Sequence, residues 1–230
     1  LEIGMGCGAL TGIFCENVAR VEGVEISPRR AEIAAWRHKD CDNIIIHVGN
    51  LNDMNITQKF DYITLIGVLE YAGSCTHTDE PYKDFLQSCK KYLKSDGKLL
   101  LAIENRMGLK YWSGAREDHT GKIFDGITGY QNNHSVRTFS KPELTKLLQD
   151  SGFGKLEWYY PFPDYKLPHR VYSDEYMPKV GELKNKHFLY YDSERYVLFN
   201  EADAMNGIVA SNLFDIFSNS FFVCCHNGDK

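Results

Sequence analysis

Three glycines at alternate positions, Gly4, Gly6 and Gly8, stand between a carboxylate, Glu2, and a short helical stretch in the opening run LEIGMGCGAL. Alternating glycines let a backbone turn tightly and come closer to a ligand than any side chain would permit. A second carboxylate, Glu25, ends the apolar run of VEGVEIS. It follows Gly6 by close to the ~20 residues that separate a glycine turn from the acidic group accepting both ribose hydroxyls in a nucleoside-binding βαβ unit. The chemistry that this order suits is recognition of a nucleoside. The pattern is G-x-G-x-G, whereas a dinucleotide fingerprint would place its last glycine where Ala9 stands, so NAD fits less well. Loss of Glu25 is expected to weaken binding and barely change stability; the plain alternatives are a ligand-free turn and a merely solvated Glu25, whose loss would leave binding unaltered.

The elements around these residues follow from periodicity. A strand leads into the glycines, residues 9 to 18 form a helix, and 21 to 27 form a second strand. Ser27 caps the next helix and Pro28 takes its first position, with Ile33 and Trp36 expected to face the sheet. NIIIHVGN (43 to 50) is a third strand whose continuous apolar run predicts burial on both faces. KFDYITLIGVLEYAG (59 to 73) gives a fourth strand and a turn, and 80 to 95 carries a helical apolar stripe closed by Gly97. GKLLLAIEN (97 to 105) is the fifth strand, with Glu104 and Asn105 at its carboxyl end. Ser140 and Glu143 form a capping box, KLEWYYP a sixth strand, 208 to 217 a short helix, and SFFVCC (220 to 225) a last strand. Such alternation predicts an α/β fold with an open parallel sheet and a ligand outside the strand carboxyl ends.

The composition narrows the function classes. At 230 residues, 43% hydrophobic and 25% charged, the chain reads as a single domain, residues 1–230, carrying insertions. A net charge of −5, a pI near 5.9 and the lack of a Lys/Arg block argue against nucleic acid as a partner. Seven scattered cysteines show neither metal-ligand spacing nor a disulfide rhythm, which predicts reduced thiols in a cytoplasmic setting. No signal peptide is visible in the sequence, and no run approaches transmembrane length. Because Leu1 already lies in the first strand, the chain is expected to be a fragment that lacks a preceding helix.

The acidic-x-G-x-G-x-G run resembles the nucleoside loop of the class I S-adenosylmethionine-dependent methyltransferases. Val68, Leu69 and Glu70 resemble that family's Val-Leu-Glu-His segment after strand four, with Tyr71 in place of the histidine. The resemblance implies a Rossmann-like doubly wound sheet of seven strands, mostly parallel, whose antiparallel seventh strand (here SFFVCC) slots between the fifth and sixth. It implies S-adenosyl-L-methionine as cofactor, bound by Glu2, Gly4, Gly6, Gly8, Glu25, Asn50, Leu51, Gly67 and Glu70. Asn50 stands where the family often has an aspartate bonding the adenine amine, a role its amide oxygen can also fill. No metal is assigned. The segments GLKYWSGAREDHTG, FDGI, VRTFSK, YYPFPDYKLP, SDEYMP and FSNSFFV resemble, more narrowly, bacterial methyltransferases associated with glycosyltransferases in surface-polysaccharide synthesis. This implies O-methylation of a sugar or glycan, and association or fusion with a glycosyltransferase. The alternatives are a lipid or small-molecule acceptor, or an inactive cofactor-binding domain that positions a glycosyltransferase.

Residues 105–139 and 161–218 are aperiodic insertions, and loops of that length tend to be functional. Both leave the sheet at strand carboxyl ends, so they should meet above the cofactor as a lid over the acceptor. His119, flanked by Glu117 and Asp118, is the expected general base for a hydroxyl acceptor, with His134, His169 and His187 as alternatives and a solvated loop histidine as the plain reading. Tyr111 and Tyr130 are expected to line the acceptor side and stack on sugar rings.

Overall fold

The computed structural model describes residues 1–131, 135–184 and 195–228. In chain order its elements are β1 (Glu2–Ile3), α1 (Thr11–Asn17), β2 (Val21–Glu25), α2 (Pro28–Arg37), β3 (Ile44–Val48), β4 (Phe60–Ile66), α3 (Ala72–Cys75), α4 (Pro81–Lys91) and β5 (Leu93–Glu104). There follow α5 (Leu109–Trp112), α6 (Lys141–Asp150), β6 (Leu156–Phe162), β7 (Arg170–Ser173), α7 (Glu201–Ala210), α8 (Phe214–Phe217) and β8 (Ser220–His226).

The strands form one sheet in the order β3-β2-β1-β4-β5-β8-β6-β7. From β3 to β5 every pair is parallel, and β8 runs antiparallel between β5 and β6, where SFFVCC was expected. The sheet has eight strands rather than seven. The extra one, β7, pairs antiparallel with β6 through Tyr160↔Tyr172 and Phe162↔Arg170, and so covers an edge that β6 would otherwise leave bare. Its four residues are too few to show a period in the sequence.

The core lies where the central strands meet the helices. Ile63, Leu65, Leu99, Leu101, Ile103, Phe221 and Val223 are fully buried, and Leu86, Leu144 and Leu148 close over them from α4 and α6. Three local expectations fail for identifiable reasons. β3 is an edge strand, so Ile45 and Val48 are 43% and 53% exposed instead of buried on both faces. α2 turns Ala31 and Ala34 inward and leaves Ile33 and Trp36 exposed, because small residues let it lie close to the glycine turn. A Cβ added at Gly8 would sit 3.2 Å from that of Ala34. Gly97 does not close a helix. α4 ends at Lys91, and Gly97 lies inside β5, where a Cβ would come within 2.9 Å of the Phe60 carbonyl oxygen.

The capping box at Ser140 forms as expected, and Glu143 does more than cap. It accepts two hydrogen bonds from the Arg106 guanidinium, at 2.6 and 2.9 Å, which ties the chain leaving β5 to the start of α6. Partial burial works against the Glu143 charge, but the Arg106 and Ser140 donors outweigh it and hold the carboxyl down at about 2. A carboxyl depressed on folding contributes stability that is present above its unfolded value and lost as pH falls through the folded one. In urea unfolding, the deficit of Glu143→Gln relative to the native chain should therefore be full above the ordinary value of 4.5 and shrink as pH falls toward 2. A deficit independent of pH would mean that the ion pair contributes nothing.

Candidate active site

β1 is only two residues long, and the chain leaves it through Gly4, Gly6 and Gly8 at φ of 70°, 57° and 73°. Side chains avoid this region, and the surroundings add to the demand at two of the positions. A Cβ at Gly4 would lie 2.4 Å from Cγ2 of Val68, and one at Gly8 would lie 2.7 Å from Nε2 of His38, which itself bonds the Gly8 carbonyl at 2.8 Å. Above Gly6 nothing lies within 4 Å. The middle glycine thus faces open space while the outer two are packed.

Glu25, at the carboxyl end of β2, is buried and accepts the Gly6 N–H at 2.8 Å on one oxygen and the Ser27 N–H at 2.9 Å on the other. It is a clamp on the glycine turn, not a solvated strand end, and each oxygen keeps a lone pair. Glu2 accepts the Thr11 hydroxyl at 2.6 Å, which pins the end of β1 to α1; burial pushes its carboxyl up, with the Thr11 bond opposing. Asn50 caps the 3₁₀ turn Leu51–Asp53, taking the Asn52 N–H at 3.1 Å and donating to the Cys75 carbonyl at 3.0 Å, and Leu51 is buried. Gly67 turns the chain after β4 at φ 64°, and a Cβ added there would lie 3.6 Å from Oε1 of Glu70 and 2.7 Å from the Tyr165 hydroxyl.

The second half of the site is built on carboxylates. Glu70, in a 3₁₀ turn after β4, and Glu104, the last residue of β5, are buried side by side at the strand ends. His119 reaches them from the first insertion with its side chain only 6% exposed. Its Nδ1 lies 3.0 Å from Glu117, and its Nε2 lies 3.4 Å from Oε1 of Glu70 and 4.0 Å from Oε2 of Glu104. Burial disfavours the imidazolium, but the bonds from Glu117 and Glu70 and the field of Glu104 prevail and raise its pKa to about 10. Burial pushes Glu70 up, His119 opposing and Glu104 reinforcing.

This geometry bears on two expectations. His119 does reach the strand edge, where Glu117, Glu70 and Glu104 favour its protonated form over the neutral base. Tyr111 and Tyr130 are 2% exposed, so their faces are covered and cannot stack on a sugar. Their hydroxyls instead donate to Asp118 and Glu117. Of the alternative histidines, His169 is exposed, and His134 and His187 lie outside the described residues.

Sequence reasoning missed the cations and, though it noted Glu104 at the end of β5, gave it no role. Lys166 of the second insertion bridges Glu104 at 2.7 Å and Asp118 at 3.0 Å, and Lys110 of the first bridges Asp118 at 3.0 Å and Asp164 at 3.2 Å. Glu104 could have been found from its place at the end of a parallel strand. The lysines had no local signal. Lys166 of the second insertion and Asp118 of the first thus touch at this edge. A separate cavity of about 840 Å³, lined by His77, Tyr82, Arg137 and Phe139 among others, lies beyond Tyr130 and includes neither the glycine turn nor the carboxylates.

Residues 1–99 match the sequence model of a methyltransferase domain. Over 114 residues the chain is 31% identical to the ubiquinone biosynthesis O-methyltransferase of Haemophilus ducreyi, covering 46% of this chain and 45% of that protein. It is 31% identical over 112 residues to the mitochondrial enzyme of the same name from Schizosaccharomyces pombe, covering 46% and 38%. The chain thus spans under half the length of these curated relatives. The fold is that of a solved S-adenosylmethionine-dependent methyltransferase from Thermotoga maritima, described as a possible histamine N-methyltransferase, with a TM-score of 0.57 at 18% identity over 98% of this chain and 80% of that one. S-adenosylmethionine is the cofactor of such a domain. The open space above Gly6 beside the Glu25 carboxylate fits its nucleoside.

Glu117 is the post on which His119 stands, since it accepts the N–H groups of His119 and Thr120 at 2.7 and 2.6 Å as well as the Tyr130 hydroxyl at 2.9 Å. Removing one member of a buried charged cluster strands its partners. Glu117→Ala should cost about 3 kcal/mol in thermal or urea unfolding, and a loss below ~0.5 kcal/mol would show the cluster to be loosely solvated.

Proposed function

We propose that this chain transfers the methyl group of S-adenosylmethionine to a hydroxyl of a small-molecule acceptor received beside Glu70 and Glu104. The carrying observation is that the glycine turn and the carboxylate cluster adjoin on one sheet edge. Val68 packs over Gly4, and the next residue back, Gly67, abuts Glu70 and Tyr165. A nucleoside held by Gly4, Gly6, Gly8 and Glu25, with Glu2, Asn50 and Leu51 supporting the base and ribose side, would direct its methyl end toward Gly67 and Glu70.

When bound, the cofactor supplies a methyl group already activated on a sulfonium, so the chain's own task is positioning. The insertions 105–139 and 161–218 act as the lid that excludes water, joined through Lys110, Lys166 and Asp118. As the oxygen–methyl bond forms, the hydroxyl proton must leave, and a carboxylate oxygen at Glu70 or Glu104 is placed to accept it. Oxygen as the methylated atom is supported by the O-methyltransferases of ubiquinone biosynthesis to which the chain is similar. The glycan acceptor and the glycosyltransferase association expected from the narrower resemblance have no counterpart among the relatives named above, and a small hydroxylated molecule takes their place. A cytosolic setting accords with seven free cysteines. Among the described residues no helix is long and apolar enough to cross a membrane.

Calorimetry with S-adenosylhomocysteine tests the cofactor half. Glu25→Ala should weaken binding by about 1–3 kcal/mol. It should also lower stability, because the Gly6 and Ser27 N–H groups lose their acceptor. Gly6→Ala adds a methyl group to open space at φ 57°, with a backbone cost of about 1–2 kcal/mol, and should reduce affinity by more than that strain alone. Tighter binding of NAD than of S-adenosylhomocysteine, or unchanged affinity in both variants, would overturn the assignment. Labelled methyl transfer to phenolic and polyhydroxylated small molecules, with glycans and amines alongside, tests the acceptor class.

A further inference from the structure

The carboxylate cluster holds more negative charge than its neighbours cancel. Glu70, Glu104, Glu117, Asp118 and Asp164 share three cationic groups, His119, Lys110 and Lys166. Two carboxylate oxygens, Oε2 of Glu70 and Oε2 of Glu104, are buried without a hydrogen-bond partner among the described residues, on side chains 2% and 1% exposed. An unpaired buried carboxylate oxygen is costly, and two in one place call for something to fill the gap.

We infer that Glu70, Glu104 and His119 form a divalent-cation site whose remaining coordination positions receive the oxygen of the acceptor. Their ligand atoms all lie within 4.8 Å of one another. The arrangement behind the histidine is that of a metal ligand. Nδ1 faces the Glu117 carboxylate at 3.0 Å, which fixes the ring and leaves Nε2 toward Glu70 and Glu104. Glu117 is held in turn by two backbone N–H groups and the Tyr130 hydroxyl. One imidazole and two carboxylates suit Mn²⁺, Fe²⁺ or Zn²⁺, with room for water or substrate oxygens. A cation entering this site displaces the proton from Nε2 of His119, draws Oε2 of both glutamates inward, and loosens the hold of Lys166 on Glu104. Its role, which rests on the methyl-transfer reading, is to bind the acceptor hydroxyl and ease transfer of its proton to the second carboxylate oxygen of Glu70 as the carbon–sulfur bond breaks and the oxygen–carbon bond forms. A second His/Cys/Glu group, Glu157, Cys224 and His226, lacks this signature, since Glu157 is 31% exposed and the group holds no unpartnered buried oxygen among the described residues.

The test is titration of the chelator-treated chain with Mn²⁺, followed by calorimetry and by the electron paramagnetic resonance signal of the free ion. One Mn²⁺ per chain is expected, with binding weakened by more than about tenfold in Glu104→Gln and in His119→Gln. Lys166→Ala removes a competing ammonium that is 39% exposed, so it should fold and bind Mn²⁺ several-fold more tightly. S-adenosylhomocysteine affinity, measured in the same samples, should stay within a factor of a few. A chain that binds S-adenosylhomocysteine yet takes up neither Mn²⁺ nor Zn²⁺ stoichiometrically overturns the inference. So does Mn²⁺ affinity unchanged in Lys166→Ala or in both ligand variants. Stoichiometric Mn²⁺ binding without S-adenosylhomocysteine binding would support the cation site and remove the methyl-transfer reading instead.

Discussion

Glu104 sits at the end of the central strand β5 with its side chain fully buried, and that single carboxylate sets the terms for the rest of the acceptor side. A charge in that position is tolerable only with partners brought to it, because desolvation outweighs anything a lone carboxylate gains from packing. The partners come from afar. Lys166 arrives from the hairpin connection between β6 and β7, and His119 from the insertion after β5. The insertions are therefore not loops lying on a finished sheet. They are the counter-charge of the sheet's own edge, and Asp118, which contacts both Lys110 and Lys166, joins one to the other.

The opposite half of the edge is held by short-range means. Glu25 accepts the Gly6 N–H, His38 donates to the Gly8 carbonyl, and α2 can approach because Ala31 and Ala34 face inward. Each bond here joins neighbouring units of one βαβ segment. The turn's shape is thus fixed before any insertion contributes, which is the preorganisation a nucleoside site needs. The two halves meet at Val68 and Gly67, where the chain leaving β4 touches the glycine turn on one side and the carboxylates on the other.

This division explains what could be read from the sequence. The glycine spacing, Glu25, the capping box and the strand-helix alternation are local patterns, and the fold and the cofactor side followed from them. Burial was misread where it depends on neighbours: Ile45 and Val48 look like a central strand but lie on an edge, and Trp36 looks like a packing residue but is turned out by an alanine face. On the acceptor side, His119 lies among acidic groups that its own segment shows only in part. Its protonation depends on Glu70 and Glu104, which are distant in sequence, and nothing in EDH reveals them. Tyr111 and Tyr130 were taken for exposed platforms because a loop full of aromatics looks like a binding surface. The structure uses them as buried hydrogen-bond donors to acidic side chains.

The last strand ties these layers together. β8 enters between β5 and β6 and pairs Ser220 with Glu104, while Asn105 donates its side-chain amide to the carbonyls of Ile216 and Ser218 at 2.7 Å and its N–H to that of Asn219 at 2.9 Å. Ser220 also receives the Tyr165 N–H at 2.9 Å on its hydroxyl, and Asn219 takes the Lys110 N–H at 2.9 Å on its side-chain oxygen. The strand that completes the sheet thereby fixes the backbone of both residues that carry the lysines to the cluster or stand next to one that does. Contacts of such long sequence separation form only after a large loss of chain entropy. The nucleoside side can therefore form early from local contacts, whereas the acceptor side exists only once the whole chain has closed. Placing Glu104 on β5, beside the final strand, makes a closed carboxylate cluster and a completed fold one and the same event.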